Sequence, residues 1–515
     1  MAQAAARRIN RAELVDKAFL DHLVALEEGR VRALAAGDIP SADLLELFDS
    51  QMASRQLDLM ARVKRAENKV FYTIGSSGHE GNALVGRLTR ATDPAFLHYR
   101  AGAFMAERYR KLPASDFIHD TCLSFAAARE DPASGGRHKV WGSRALWVLP
   151  QTSTIGSHLP KAVGTALAIA RGGRDGHALP VPDDSIVVCS FGDAGLNHAA
   201  AQAAFNACAW SRHQNLPVPI VFVCEDNGLG ISVPTPRNWV HDSMARRHGL
   251  TYRAANGLDL ADGYRPVEEA ISLCRARRTP VFLHLQMTRL MGHAGTDFEI
   301  DYRPDDELTA AEAKDPLLRS AEQVIARGLM TPGRIRQRYE ILRQKCLDAA
   351  DRADRSGRLT DYDAIVAPLA PISPNTVRSE SRRVPEKVTR ARLFGGPDQL
   401  PEALKPGHLA VQINRALNDL LLKYPEALIF GEDVARKGGV YTVTRGLWSR
   451  FGRRRVFNTL LDETTILGLA QGYASMGYLP IPEIQYLAYF HNACDQIRGE
   501  ACSLQFFSNG QFRNP

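Results

Sequence analysis

The chain has 515 residues, 45% hydrophobic and 23% charged, with a formal net charge of +7. That length accommodates two or three domains with large cores. The Lys and Arg residues are scattered, which argues against a nucleic-acid surface, and no apolar run approaches a membrane span. The 8 cysteines form no CxxC pair. Cys189 and Cys224 lie inside apolar runs, so free thiols in a reducing, cytoplasmic compartment are expected.

The first dozen residues are rich in Ala and Arg, with no acid before Glu13. They read as an exposed helix start rather than a transit peptide. From about residue 10 to 66 the apolar spacing is helical. Ser41 is the predicted N-cap of a helix carrying Leu44, Leu45 and Phe48 on one face. Gly75-Ser-Ser-Gly-His-Glu-Gly81 has the glycines of a phosphate loop but lacks its Lys-Ser/Thr ending. Residues from about 68 to 320 alternate short strands and helices, and helices follow to about 356. The stretch 357–405 carries Pro368, Pro371, Pro374, Pro385, Pro397 and Pro401 with little periodicity, and reads as a linker. A second α/β pattern begins near 406. It has a helix over Leu409 to Leu422, a strand over Ala427 to Phe430 and a helix from about Thr464, and stops without a closing pattern. The expected fold class is α/β, with parallel sheets flanked by helices. Two related units (1–356 and 406–515) are joined by the linker 357–405.

The chemistry concentrates between Phe191 and Leu229. Two β-branched apolar runs flank an Ala-rich helical run, a βαβ pattern. The first strand ends on Gly192-Asp193 and the second on Asp226-Asn227. Parallel strands put both ends on the edge where ligands bind. Asp193 and Asn227 then offer two hard oxygens, which suit Mg²⁺. Peptide N–H groups from Gly192 to Gly195 could meet a phosphate at a helix start.

Gly-Asp followed, after a second strand, by Asn resembles the thiamine-diphosphate motif, and further blocks extend the likeness. They are His98-Tyr-Arg-Ala-Gly-Ala-Phe-Met105, Gly135-Gly-Arg-His-Lys-Val-Trp-Gly142, Gln151-Thr-Ser-Thr-Ile-Gly-Ser-His158 and Gly292-His-Ala-Gly-Thr-Asp297. In this order they resemble the α subunit of the E1 component of 2-oxo acid dehydrogenase complexes, most of all the branched-chain type, over roughly 40 to 350. In the second unit, Phe430-Gly-Glu-Asp-Val-Ala435, Arg455-Val-Phe-Asn-Thr-Leu-Leu-Asp-Glu463 and Pro482-Glu-Ile-Gln-Tyr-Leu-Ala-Tyr489 resemble the E1 β subunit. The chain thus looks like α and β joined head to tail. The family's β subunit runs on well beyond Pro515, so a chain cut short is expected, its β-side catalytic His in the absent part.

The resemblance implies a thiamine-diphosphate-binding fold with thiamine diphosphate and Mg²⁺ as cofactors. Asp193, Asn227 and the Leu229 carbonyl would hold the metal. Gly192 and Ala194, the latter in place of the family's second Gly, would line the diphosphate, which Tyr99, Arg100 and His293 would contact. Ser153 and Ile155 would line the thiazolium and pyrimidine, with Glu432, Leu461, Gln485 and Tyr489 on the pyrimidine side. Glu463, with His293, is the expected catalytic residue: a carboxyl at the pyrimidine N1′ shares a proton there and favours the tautomer that removes the C2 proton. Family potassium sites (K⁺) would fall near Thr152, Ser157 and His158. The serine that is phosphorylated in mitochondrial relatives is Ala294 here. Implied partners are a lipoylated E2 acyltransferase and a second copy in a homodimer, with no nucleic acid and no membrane. Two alternatives stay open. One is a pyruvate or acetoin dehydrogenase E1. The other is a non-catalytic fragment with an assembly role.

Overall fold

The computed structural model of the protein describes residues 11–31, 33, 37–70, 74–152 and 154–514. Ser153 and residues 1–10 lie outside the described residues, and with them the readings made of that serine and of the chain start.

Two helices open the chain, α1 (Arg11–Glu27) and α2 (Ser41–Ala66). Ser41 is not the N-cap. Pro40 holds that position at φ −57° and ψ 134°, without a side-chain cap bond, and Ser41 is the first helical residue. The ring fixes the φ of Pro40 while its ψ stays extended, so helical geometry starts one residue later. Leu44 and Phe48 are buried and Leu45 is half-buried, as their spacing predicts.

The first unit is built on six parallel strands: β1 (Ala95–Phe96), β2 (Val148–Leu149), β3 (Val187–Gly192), β4 (Ile220–Asp226), β5 (Thr251–Asn256) and β6 (Val281–Gln286). Their order is β2-β1-β3-β4-β6-β5. The period of two sorts side chains between two cores. Val188, Val221 and Val223 join the core that includes Leu44, Phe48 and Met52 of α2. Val187, Cys189, Phe191, Phe222 and Cys224 face the other way, toward helices α3 (His158–Asp175) and α4 (Ala199–His213). Strands covered on both faces need the near-continuous apolar runs seen in the sequence. Register places Gly192 opposite Glu225 and Asp226 opposite Gln286, so the polar strand ends share one edge.

Residues 357–405 are less plain than a linker reading suggests. Short helices form at Tyr362–Val366, Pro374–Arg382 and Lys387–Phe394, none with a buried residue. Pro374 starts its helix, where a missing N–H costs nothing. The prolines here begin helices as well as break them.

The second unit has a three-stranded parallel sheet in the order β8-β7-β9. Its strands are β7 (Ala427–Gly431), β8 (Val456–Asn458) and β9 (Leu479–Glu483). Helix α5 (Leu409–Lys423) precedes the sheet, and α6 (Glu463–Ser475) crosses to pack on α3. The backbones meet at glycines. A Cβ on Gly472 would fall 2.3 Å from Lys161 O and from Thr165 N, and one on Gly164 would fall 2.4 Å from Leu469 O. Leu428, Phe430, Ile466, Leu469 and Tyr473 share one apolar cluster with Leu159, Ala162, Val163 and Ala166. Each large side chain so buried contributes about 1.5–3 kcal/mol, against at most ~1 kcal/mol for an exposed ion pair. Apolar packing therefore outweighs exposed ion pairs between the two units, and one buried pair, Lys161–Glu500, also joins them. No helix of the described residues is long and apolar enough to cross a membrane. All 8 cysteines are free, with only Cys494 and Cys502 exposed.

Candidate active site

Asp193 follows β3 and is 1% exposed. Its carboxylate accepts from Thr235 Oγ1 at 2.8 Å and from the backbone N–H of Asn227. Burial, and then the charge of Asp226, push its pKa up to about 6. A buried carboxylate under that pressure is relieved by a cation.

Asn227 stands beside it at the end of β4. Its Oδ1 accepts from Leu229 N at 3.0 Å, which leaves a second lone pair. Its Nδ2 lies 2.9 Å from Nε2 of His79, whose Nδ1 lies 2.7 Å from Glu225 Oε2. Burial lowers the His79 pKa to about 4, so the ring is neutral at neutral pH. Burial alone would raise Glu225, but the bonds from His79 and His98 outweigh it and hold the carboxyl at about 2. A neutral imidazole has one donor and one acceptor. With Glu225 ionised, Nδ1 donates to it and Nε2 accepts from Asn227. His79 thereby fixes which way the Asn227 amide faces. Asp226 is engaged elsewhere. It accepts from Gly228 N at 3.0 Å and from His284 Nε2 at 2.8 Å, and the Tyr252 hydroxyl donates to His284 Nδ1 at 2.7 Å. Asp226 therefore adds charge beside the metal candidates while its own oxygens are bonded.

The neighbouring half of the site has the opposite need. Arg100 is 2% exposed. It donates to the carbonyl oxygens of Gly75 and of His293, the latter at 3.1 Å, and lies 5.1 Å from the Tyr99 ring centroid. Among the described residues no carboxylate pairs with it. His293 is pushed down to about 4 by burial and then by Arg100 and Arg289. Arg289 is committed to Glu299 at 2.9 Å and to the Tyr302 hydroxyl at 2.8 Å. That hydroxyl and the His293 N–H both donate to Asp297 at 2.6 Å, which shapes the 292–297 loop. A buried guanidinium whose acceptors are two carbonyls and, at 3.3 Å, Nδ1 of a neutral imidazole suits an anion of the phosphate type. The two halves are continuous: the His98 ring lies 4.0 Å from Tyr99 and 5.7 Å from His79.

The helix expected at Gly192 to Gly195 starts later. Residues Asp193–Asn197 make a 3₁₀ turn, anchored by fully buried Leu196, and α4 begins after His198, whose Nδ1 caps it. Ala194 lies against the Leu229–Gly230 hairpin strand, where a Cβ on Gly230 would come 2.9 Å from the Ala194 Cβ.

In the second unit Glu463 is the first residue of α6, 6% exposed, and accepts from Asn492 Nδ2 at 3.3 Å. Asp462 caps that helix through Thr465 N. Glu432 is buried, its pKa raised by that burial and then by Glu463. Gln485 Nε2 donates to Glu432 O at 3.2 Å. Tyr489 is not a core residue. It sits on the Leu487–Ala493 turn, 45% exposed, with its ring 5.4 Å from Tyr486. The hydrogen bonds of Glu463 and Gln485 stay in the second unit, and those of Asp193 and Asn227 stay in the first. Both clusters border exposed apolar side chains: Leu461, Leu487 and Phe490 on one side, Ile155, Ile231 and Phe298 on the other.

Residues 50–361 match the family described as "Dehydrogenase E1 component". The chain belongs to the dehydrogenase E1 component family. Residues 409–506 match the transketolase pyrimidine-binding domain, so one chain joins a dehydrogenase E1 segment to a pyrimidine-binding segment. This E1 chain is similar to the mitochondrial 2-oxoisovalerate dehydrogenase subunit alpha of Mus musculus, at 26% identity over 325 residues, covering 62% of this chain and 69% of the relative. Its second unit is similar to the 3-methyl-2-oxobutanoate dehydrogenase subunit beta of Mycobacterium tuberculosis, at 42% over 103 residues, 20% of this chain and 30% of the relative. It is also similar to the pyruvate dehydrogenase E1 component subunit beta of Staphylococcus epidermidis, at 44% over 98 residues, 19% of this chain and 30% of the relative.

Sequence reasoning passed over His79, Glu225, Tyr252, His284 and Arg289. One signal was available for His79. It lies in the glycine-rich stretch whose phosphate-loop reading fails. Asp58 accepts from the N–H groups of Ser76 and Ser77 at 2.6 and 2.8 Å, and this bends the stretch toward the β4 edge.

Proposed function

We propose that this E1 decarboxylates a branched-chain 2-oxo acid and passes the acyl group to the lipoyl group of an E2 acyltransferase. The observation that carries the reading is a pair of charges in one continuous site: among the described residues no basic side chain pairs with buried Asp193 and no carboxylate pairs with buried Arg100. Magnesium diphosphate answers both. Asp193, Asn227 and the Leu229 carbonyl would hold Mg²⁺, and Tyr99, Arg100, His293 and the Gly192–Ala194 backbone would hold the diphosphate. Ser153 and Ile155 would flank the thiazolium, with Glu432, Leu461, Gln485 and Tyr489 around the pyrimidine. Thiamine diphosphate, when bound, supplies an electron sink for the carbanion left as CO₂ departs. Glu463 would hold a proton at the pyrimidine N1′. Neutral His293 can accept or donate a proton near the reacting carbon.

The division into residues 1–356, 357–405 and 406–515 belongs to this reading. So does a homodimer, in which the exposed apolar borders of the two clusters meet those of a second copy and bring an Asp193 to a Glu463. Free thiols suit the cytoplasm. The branched-chain preference rests on the alpha-subunit relatives. The likeness to a pyruvate dehydrogenase beta subunit keeps pyruvate as the second reading.

The test is calorimetric binding of thiamine diphosphate with Mg²⁺ to the chain and to Asp193→Ala, followed by decarboxylation of 3-methyl-2-oxobutanoate and of pyruvate. Binding in the parent alone, with turnover of the branched substrate, supports the proposal. Faster turnover of pyruvate moves the substrate to the second reading, and binding without turnover of either leaves an assembly role.

A further inference from the structure

The family resemblance that implies Mg²⁺ also implies potassium near Thr152, Ser157 and His158, and the residues there do not fit that ion. Lys161, in the first turns of α3, is 1% exposed, and its Nζ donates to Glu500 Oε2. Glu500 is fully buried. Its other oxygen accepts from Thr152 Oγ1 at 2.7 Å and from Ser157 Oγ. Thr152 Oγ1 donates to that carboxylate, and Ser157 Oγ lies against both it and the Thr154 carbonyl, the latter at 2.7 Å. The Ser157 carbonyl accepts from Gln496 Nε2 at 2.9 Å. His158 donates Nε2–H to Ser190 O at 3.1 Å. A Cβ on Gly499 would fall 2.2 Å from Thr154 Oγ1, so the segment carrying Glu500 lies directly on the loop. A potassium ion there would meet an ammonium of the same sign, already paired with the carboxylate that those hydroxyls face.

We propose that Lys161 is a built-in cation: held by Glu500, its ammonium fixes Thr152 and the 154–157 turn in place of a bound potassium ion and ties them to the second unit. Lys161 and Glu500 are positioning residues, and the inference rests on the loop's own bonds rather than on the substrate proposed above. An ammonium tethered in the chain cannot be washed out or exchanged, so loop order becomes independent of the salt.

The test is thermal unfolding of the full chain in choline, sodium, potassium and ethylammonium chlorides at equal ionic strength. The parent should show the same Tm in all four. Lys161→Ala should lose roughly 5 °C or more in choline, as expected for a buried carboxylate stripped of its partner. It should recover saturably in potassium or ethylammonium. Lys161→Arg should stay indifferent to the salt. A saturable rise of the parent Tm with potassium would overturn the proposal. So would a Lys161→Ala chain as stable as the parent in choline, or one that no cation rescues. Should Lys161→Ala not fold, the parent series and Lys161→Gln decide by the same criteria.

Discussion

Replacing His79 with Leu tests whether the metal site depends on a residue that is not itself a ligand. The substitution keeps bulk but deletes both ring nitrogens. Asn227 Nδ2 loses its acceptor at 2.9 Å, and Glu225 Oε2 loses its 2.7 Å donor while keeping Asn82 Nδ2 at 3.3 Å. Each polar atom left unpaired in a buried site costs about 1–3 kcal/mol, so the chain should be destabilised by a few kcal/mol. The metal effect is separate. Without Nε2 the Asn227 amide can rotate and turn its NH₂ toward the cation. Removing an outer residue that orients a ligand typically lowers metal affinity about 10–100-fold, or roughly 1.4–2.7 kcal/mol. Calorimetric titration of Mg²⁺ at saturating thiamine diphosphate should show that loss. Adding Asn227→Asp should restore part of it, because either oxygen of a carboxylate can face a cation. A His79→Leu chain that folds and binds Mg²⁺ as the parent does would refute the orienting role.

Arg100→Lys should raise the thiamine-diphosphate Kd at least about tenfold, since one charge-assisted hydrogen bond contributes roughly 1.5–3 kcal/mol and a point charge cannot reproduce the guanidinium fork; equilibrium binding checks it. Glu463→Gln should lower decarboxylation about 10²–10⁴-fold with little change in Tm, which steady-state kinetics and a melt decide together. Gly472→Val should lower Tm clearly, because its Cβ would fall 2.3 Å from backbone atoms of α3 and such overpacking costs about 1–3 kcal/mol or more. The Glu500 carboxyl sits below its ordinary 4.5: burial alone would raise it, but Lys161, Ser157 and Thr152 outweigh that. Its contribution is therefore complete above about pH 4.5 and is lost as pH falls through the lower folded value. Glu500→Gln should be less stable than the parent at pH 7, and the two should converge as the solution is acidified in denaturant melts.

The sequence alone determined the parts of this E1 that are local. Apolar runs long enough for buried strands placed β3 and β4. The polar pairs that end them marked Asp193 and Asn227, because parallel strands deliver their ends to one edge. Spacing also located α6 to within a residue, with Glu463 at its start. Other features were settled by backbone geometry or by tertiary structure. Pro40 took the capping position expected of Ser41, and fully buried Leu196 held a 3₁₀ turn where a helix was expected. Neither His79, 148 positions from Asn227, nor Glu500, 339 positions from Lys161, carries a pattern that names its partner. The reason is physical. Periodicity records which face of an element leaves water, a property of neighbours along the chain. A buried polar group must find its partner among whatever the fold brings beside it, and for His79 and Lys161 those partners arrive only when strand ends and helices from distant parts of the chain have packed.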